Sequence, residues 1–202
     1  MAAPFPFVAG AILTAAQLNE IEPQLLPDLG YYSATYFTAP FVSTSAANNS
    51  VVNTLVCIPF LVTETATFDR ILIRSGGVIT NPTTVRLGIY NNSATAGGEP
   101  STLVLDAGTV SVTAINTIYE ITISRSLTPG WYWLGAANQT AATTTQLVTI
   151  TGPSAFGYTK INQTNMDQRN GMSKASITGA FPASTSGFSA TPNGIFVALR
   201  KV

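Results

Sequence analysis

The chain has no histidine and one cysteine, Cys57, in 202 residues, and only 9% of its residues are charged. Each scarcity closes off a class of chemistry. Without histidine, no side chain has an ordinary pKa close to neutrality, so general acid–base catalysis of the usual kind lacks its usual carrier. One cysteine and no histidine cannot build a zinc site. A lone cysteine has no internal disulfide partner, and within Val56-Cys57-Ile58 it reads as a small buried hydrophobe. Nine basic and nine acidic side chains give a formal net charge of zero. Electrostatic attraction to nucleic acid or to anionic membrane therefore has no support. No stretch approaches the roughly 18 apolar residues of a membrane-spanning helix. The opening MAAPFPFVAGAIL lacks a basic leader and is interrupted by Pro4 and Pro6, which makes it a poor secretory signal.

The charge content is well below the usual value of about 25%. Neutral, weakly charged surfaces invite self-association, so a homo-oligomer or a larger assembly is the expected state. What the chain holds in quantity is Thr, Ser, Asn, Ala and Val, the material of sheet surfaces and turns. The length fits one all-β domain plus a short extra segment.

One helix is expected, near the start. Thr14 and Gln17 form a Thr-x-x-Gln capping box, and Leu13 can staple onto Leu18. Leu18, Ile21 and Leu25 fall on one stripe, and Pro23 ends or kinks the helix. From residue 31 the pattern is that of strands. Segment 67–75 puts Ile71 and Ile73 on one face and Arg70, Leu72 and Arg74 on the other. Segment 83–91 opposes Val85, Leu87 and Ile89 to Arg86, Gly88 and Tyr90. Gly76-Gly77 and Gly108 read as turns, and Leu127-Thr128-Pro129-Gly130 as a type II turn. Pro59 marks an edge, bulge or break in segment 50–62. Residues 152–193 are loop-rich. Segment 195–200 is a final strand expected to return beside an early one. Nine or ten short strands without a fixed repeat predict an all-β fold, a jelly-roll-like sandwich over 31–202 preceded by a helical attachment segment over 1–30.

Two segments resemble known families. Phe7-Val8-Ala9-Gly10-Ala11-Ile12-Leu13-Thr14-Ala15-Ala16-Gln17-Leu18-Asn19 looks like the N-terminal sequence of tailed-bacteriophage virion structural proteins, tail-fibre and appendage proteins in particular. In those proteins the segment attaches to the virion. Phe68-Asp69-Arg70-Ile71, Arg86-Leu87-Gly88-Ile89-Tyr90, Leu103 to Gly108 and Leu127 to Leu134 are similar to jelly-roll modules of phage fibres and some carbohydrate-binding proteins.

The resemblance implies a virion component assembled in the host cytoplasm, trimeric in line with fibre relatives and contacting other virion proteins. Phe7, Leu13, Leu18, Ile21 and Leu25 would carry attachment or oligomerisation. Trp131 and Trp133 are the aromatic pair that could meet a host-surface glycan, although alternation along the strand favours core filling. No metal, cofactor or catalytic residue is assigned. The carboxylates lie in turns or on outer faces, and none has the apolar setting that raises a pKa for glycoside cleavage. Arg70, Arg74 and Arg86 read as salt-bridge or interface residues. The expected function is a short head or tail fibre. A capsid decoration protein and a free carbohydrate-binding module are the alternatives.

Overall fold

The computed structural model describes residues 33–40, 44–93, 98–140, 144–151, 158–161, 166–168, 170–184 and 186–202. These belong to one compact unit, Tyr31–Val202. The expected helix, with Phe7, Leu13, Leu18, Ile21 and Leu25, lies outside the described residues.

The described residues form β-strands and no α-helix. In chain order they are β1 (Tyr36–Phe37), β2 (Thr44–Asn49), β3 (Leu55–Val62), β4 (Ala66–Ile79), β5 (Thr83–Asn92), β6 (Pro100–Val112), β7 (Ile118–Leu127), β8 (Gly130–Asn138) and β9 (Thr145–Thr151). Six shorter strands follow: β10 (Tyr158–Ile161), β11 (Met166–Gln168), β12 (Gly171–Lys174), β13 (Ser189–Thr191), β14 (Gly194–Ile195) and β15 (Val197–Lys201). All their ladders are antiparallel.

The pairing is nested. β5 pairs with β6, β4 with β7, β3 with β8, and β2 with β9. The nested pairs alternate between two sheets. One runs β13-β12-β3-β8-β5-β6. The other joins β2, β9, β4 and β7, and it curls where β4 changes partner. Residues Phe68 to Ile73 of β4 pair with β15, whereas Ser75 and Ile79 pair with β9. The last strand does return beside an early one, between β4 and β1.

Residues of period two fill the space between the sheets. Ile58, Phe60, Val85, Leu87, Ile89, Tyr132 and Leu134 from one sheet meet Phe68, Ile71, Ile73, Val197 and Leu199 from the other. Phe60 and Phe68 meet edge to face with ring centroids 5.9 Å apart. Pro59 is buried in β3 opposite Trp133, beyond the point where β12 stops pairing with β3 at Cys57. Its missing N–H therefore falls where β3 is an edge.

Two glycine readings need correction. Gly76-Gly77 is not a chain reversal, because β4 runs through it. A Cβ on Gly76 would sit 2.7 Å from the Cβ atoms of Ala47 and Gln146, so glycine permits the close approach at the curl. Gly108 is likewise internal to β6. Leu87 opposes Gly108 while Gly88 opposes Asp106, which leaves Ala107 as the extra residue of a bulge. Gly108 has φ +87°, the left-handed conformation such a bulge favours.

Gly88 marks a third close approach. A Cβ there would lie 2.6 Å from the Leu105 carbonyl oxygen and 2.7 Å from the Phe181 ring. We expect Gly88→Ala to destabilise the fold by about 1–3 kcal/mol, as overpacking does. Thermal unfolding of the variant beside wild type checks this.

Candidate functional site

The region read as loose on sequence contains a well-defined strap. Residues 175–184 and 186–188, which connect strands β12 and β13 at the edge of the sheet, fold back over the outer face of β3-β8-β5 and, with Met172 of β12, bury it. Met172, Ile177, Phe181 and Phe188 pack there against Leu55, Cys57, Tyr90, Trp133 and Ala137. The Tyr90 and Phe181 ring centroids are 6.0 Å apart. The aromatic strand β8 is consequently buried on both faces. Tyr132 belongs to the core between the sheets and Trp133 to the core under the strap.

This splits the aromatic pair offered by the sequence. Trp133 is fully buried, and its indole N–H donates to Asn92 Oδ1 at 2.9 Å. It presents no face to a sugar in this arrangement. It is a core residue, as alternation favoured, but of the outer core and not of the one between the sheets. Trp131 is half-buried.

The strap is fastened through Asp106. Its carboxylate accepts two bonds from Arg86 Nη1, both at 2.8 Å, and one from the Phe181 backbone N–H at 3.0 Å. It also accepts the Gly108 N–H of the bulge at 3.0 Å. Arg86 Nε reaches Gln139 Oε1 at 3.1 Å, and the Gln139 amide donates to the Gly179 carbonyl. Partial burial works against ionisation of Asp106. The Phe181 N–H, the Arg86 guanidinium and the Gly108 N–H outweigh it and hold the carboxyl below its ordinary range.

Most of the other described charges sit on the opposite sheet. Arg70, Leu72 and Arg74 share the outward face of β4, as their alternation predicts. Arg70 pairs in register with Arg200 of β15, which itself pairs with Tyr36 of β1. Arg200 donates to both oxygens of Asp69, and the Tyr36 hydroxyl donates to Glu120. The Arg200 guanidinium lies 5.8 Å from the centroid of the Tyr36 ring. Arg70 lies 3.5 Å from Asp69 and 4.0 Å from Glu120. Lys201 reaches Glu64 at 2.7 Å. The Arg200 bonds lower the Asp69 carboxyl below its usual value. Asp69 and Asp106 are thus both charged at neutral pH, suited to holding a guanidinium and unsuited to donating a proton. Among the described residues, no three Cys, Asp or Glu side chains gather as a metal-binding group.

The two polar systems have different legibility. The period-two pattern placed Arg70 and Arg74 correctly. Asp106 gave no signal as a fastener, because its partner Phe181 N–H lies 75 residues further along the chain.

No family model, no curated protein and no solved structure matches this chain. The arrangement must therefore be read on its own chemistry.

Two outcomes follow from the strap. Asp106 has a depressed pKa in the folded state, so its contribution is complete above the unfolded carboxyl value of about 3.9 and lost as pH falls through the lower folded value. Tryptophan fluorescence during acid titration should report loosening over that window. Asp106→Asn should loosen the strap already at neutral pH and remove this component of the acid response. Cys57 lies fully buried under the strap, beside its strand partner Met172, and burial pushes its thiol pKa far up. It should resist thiol reagents in the native protein and react faster in Phe181→Ala, measured by mass spectrometry of the labelled chain.

Proposed function

We propose that the chain is a structural subunit of a virion, a short fibre of a tailed bacteriophage, working by self-association and surface contact. We also propose that its β domain is a jelly-roll-like sandwich. The single observation that carries this reading is the nested order of ladders. With β2/β9, β3/β8, β4/β7 and β5/β6 paired, the strands fall into β2-β9-β4-β7 and β3-β8-β5-β6. That is the order produced by folding one long antiparallel hairpin over itself, the jelly-roll plan used by viral capsid and lectin domains.

A fold shared among functions does not choose between them. The lead-in Leu13-Thr14-Ala15-Ala16-Gln17-Leu18-Asn19 narrows the choice through its likeness to phage appendage proteins. The described side chains add a consistent theme. Asp69 and Asp106 are committed to arginine partners, and the largest aromatic of β8 is sealed under the strap. These are features of a robust domain that presents surfaces to neighbours.

In this reading the stripe Leu18, Ile21 and Leu25 supplies attachment, and the β domain is the exposed part. The full-length chain carrying Leu18→Asp and Ile21→Asp should keep the β-sheet circular dichroism and thermal transition of wild type. It should fail to enter virions, measured by its content in purified particles. Normal incorporation of a folded double variant overturns the attachment role.

A further inference from the structure

We propose that the corner formed by the end of β4, the β6–β7 connection and the start of β7 is a contact surface for a second copy of this chain. The inference rests on the self-association in the proposed function and names the surface that carries it.

Large apolar side chains are left exposed at few places among the described residues. Val78, Ile115 and Ile118 are 42%, 52% and 57% exposed. The backbone sets Ile115 and Ile118 beside the end of β4 that carries Val78. The Ser75 N–H donates to the Thr117 carbonyl at 2.9 Å, and the Asn116 N–H donates to the Gly76 carbonyl at 2.9 Å. The segment bearing Ile115 and Ile118 is thereby tied to the stretch of β4 that leads to Val78. Exposed apolar side chains scattered singly need no explanation, but a gathered set marks a contact site.

The corner is also held in shape before any partner arrives. The buried Ser75 hydroxyl donates to the Ala114 carbonyl at 2.7 Å and accepts the Thr117 N–H at 2.9 Å. The Tyr119 hydroxyl accepts the N–H groups of Thr113 and Ala114 at 2.9 and 2.6 Å. Asn116 adopts φ 51°, a left-handed conformation that asparagine tolerates better than most residues. A connection fixed by this many bonds loses little conformational freedom on binding.

The charges select the occupant. Arg74 stands opposite Ile118 on the outward face, exposed and with no ion pair among the described residues. Glu120 follows two residues along on the same face of β7 and is exposed. An apolar centre flanked by one free cation and one carboxylate complements itself, since Arg74 of one copy can join Arg70 and the Tyr36 hydroxyl around the exposed Glu120 of the next. A rim of mixed sign around an apolar centre is the usual anatomy of an interface. The zero net charge of the chain adds no long-range repulsion between copies.

The test uses the full-length chain. Sedimentation velocity over a range of concentrations reads its size, and hydrogen exchange reads protection of the amides of residues 113–120. We expect wild type to associate, with that segment gaining protection as association proceeds. Ile115→Asp with Ile118→Asp should shift the chain to monomer while leaving its thermal transition unchanged, because both side chains are exposed. A wild-type chain that stays monomeric at high concentration overturns this inference and the self-association reading together. An oligomer that the double variant forms as readily as wild type overturns the corner alone. Lack of added protection at residues 113–120 in the wild-type oligomer also overturns it, without reliance on a variant.

Discussion

Burial of the β3-β8-β5 sheet on both faces is the constraint from which the rest of the domain follows. A sheet with one solvated face alternates apolar and polar residues, whereas one covered twice tolerates an apolar run. β8 reads Gly-Trp-Tyr-Trp-Leu-Gly-Ala-Ala-Asn, with Tyr132 and Leu134 turned to the other sheet and Trp133 and Ala137 to the strap. The strap must supply apolar cover, and it does so with Ile177, Phe181 and Phe188, beside Met172 of β12. Magnitudes separate cover from fastener. Each large aromatic buries about 150–250 Å², worth roughly 4–6 kcal/mol at about 25 cal/mol per Å² as an upper bound before entropy is subtracted. The Arg86–Asp106 pair, its side chains 19% and 21% exposed, is worth about 1 kcal/mol on the scale of solvent-accessible pairs. Hydrophobic burial therefore holds the strap down, while Asp106 sets its register by receiving the Phe181 N–H.

Close packing also explains the glycines. Where a neighbouring strand or side chain approaches the backbone closely, only a residue without a Cβ leaves room. Gly76 stands where β4 passes from β15 to β9, and Gly88 stands beneath the Phe181 ring. Gly194 is another such place, since a Cβ there would come 2.2 Å from Ile58 Cγ2. At Gly76 and Gly108 the residue that reads as a chain reversal in one dimension is a curl or a bulge in three. Two short strands with a turn between them and one long bulged strand have nearly the same sequence pattern. Only the partner strand distinguishes them, by continuing past the bulge.

That difference accounts for what the sequence disclosed. Period-two alternation is local, so the faces of β4 and β5 were legible: Ile71 and Ile73 inward with Val85, Leu87 and Ile89, Arg70 and Arg74 outward. The all-β class was legible for the same reason; the return of the final strand followed from the closure expected of Greek-key folds, and the burial of Cys57 from the apolar run around it. The strap was not. Its apolar residues Ile177, Phe181 and Phe188 have irregular spacing among Gly, Ser, Thr and Pro, because a segment crossing a sheet face obeys the spacing of the strands beneath it. Tyr90 signalled it indirectly, as an aromatic on a face otherwise carrying Arg86 and a glycine. A residue of that size, opposite an already apolar face, needs cover from elsewhere in the chain.

Sparse charge then shapes how such a domain can meet its neighbours. Asp69, Asp106 and Glu64 each hold a basic partner within the chain, leaving few unspent charges with which to choose a partner by long-range attraction. Recognition must rely on shape and on apolar contact, which are non-directional and prone to error. Specificity then requires rigidity. A contact patch that holds its form in isolation accepts only complementary shapes, whereas a mobile one accepts many. The bonds from Ser75 and Tyr119 to the β6–β7 connection provide that rigidity without adding charge. In the proposed contact between copies, Arg74 and Glu120 at the rim would discriminate by penalising an approach that brings like charges together. A protein with so few ionisable groups gains most from them where solvent is being excluded, and the rim of an apolar corner is such a place.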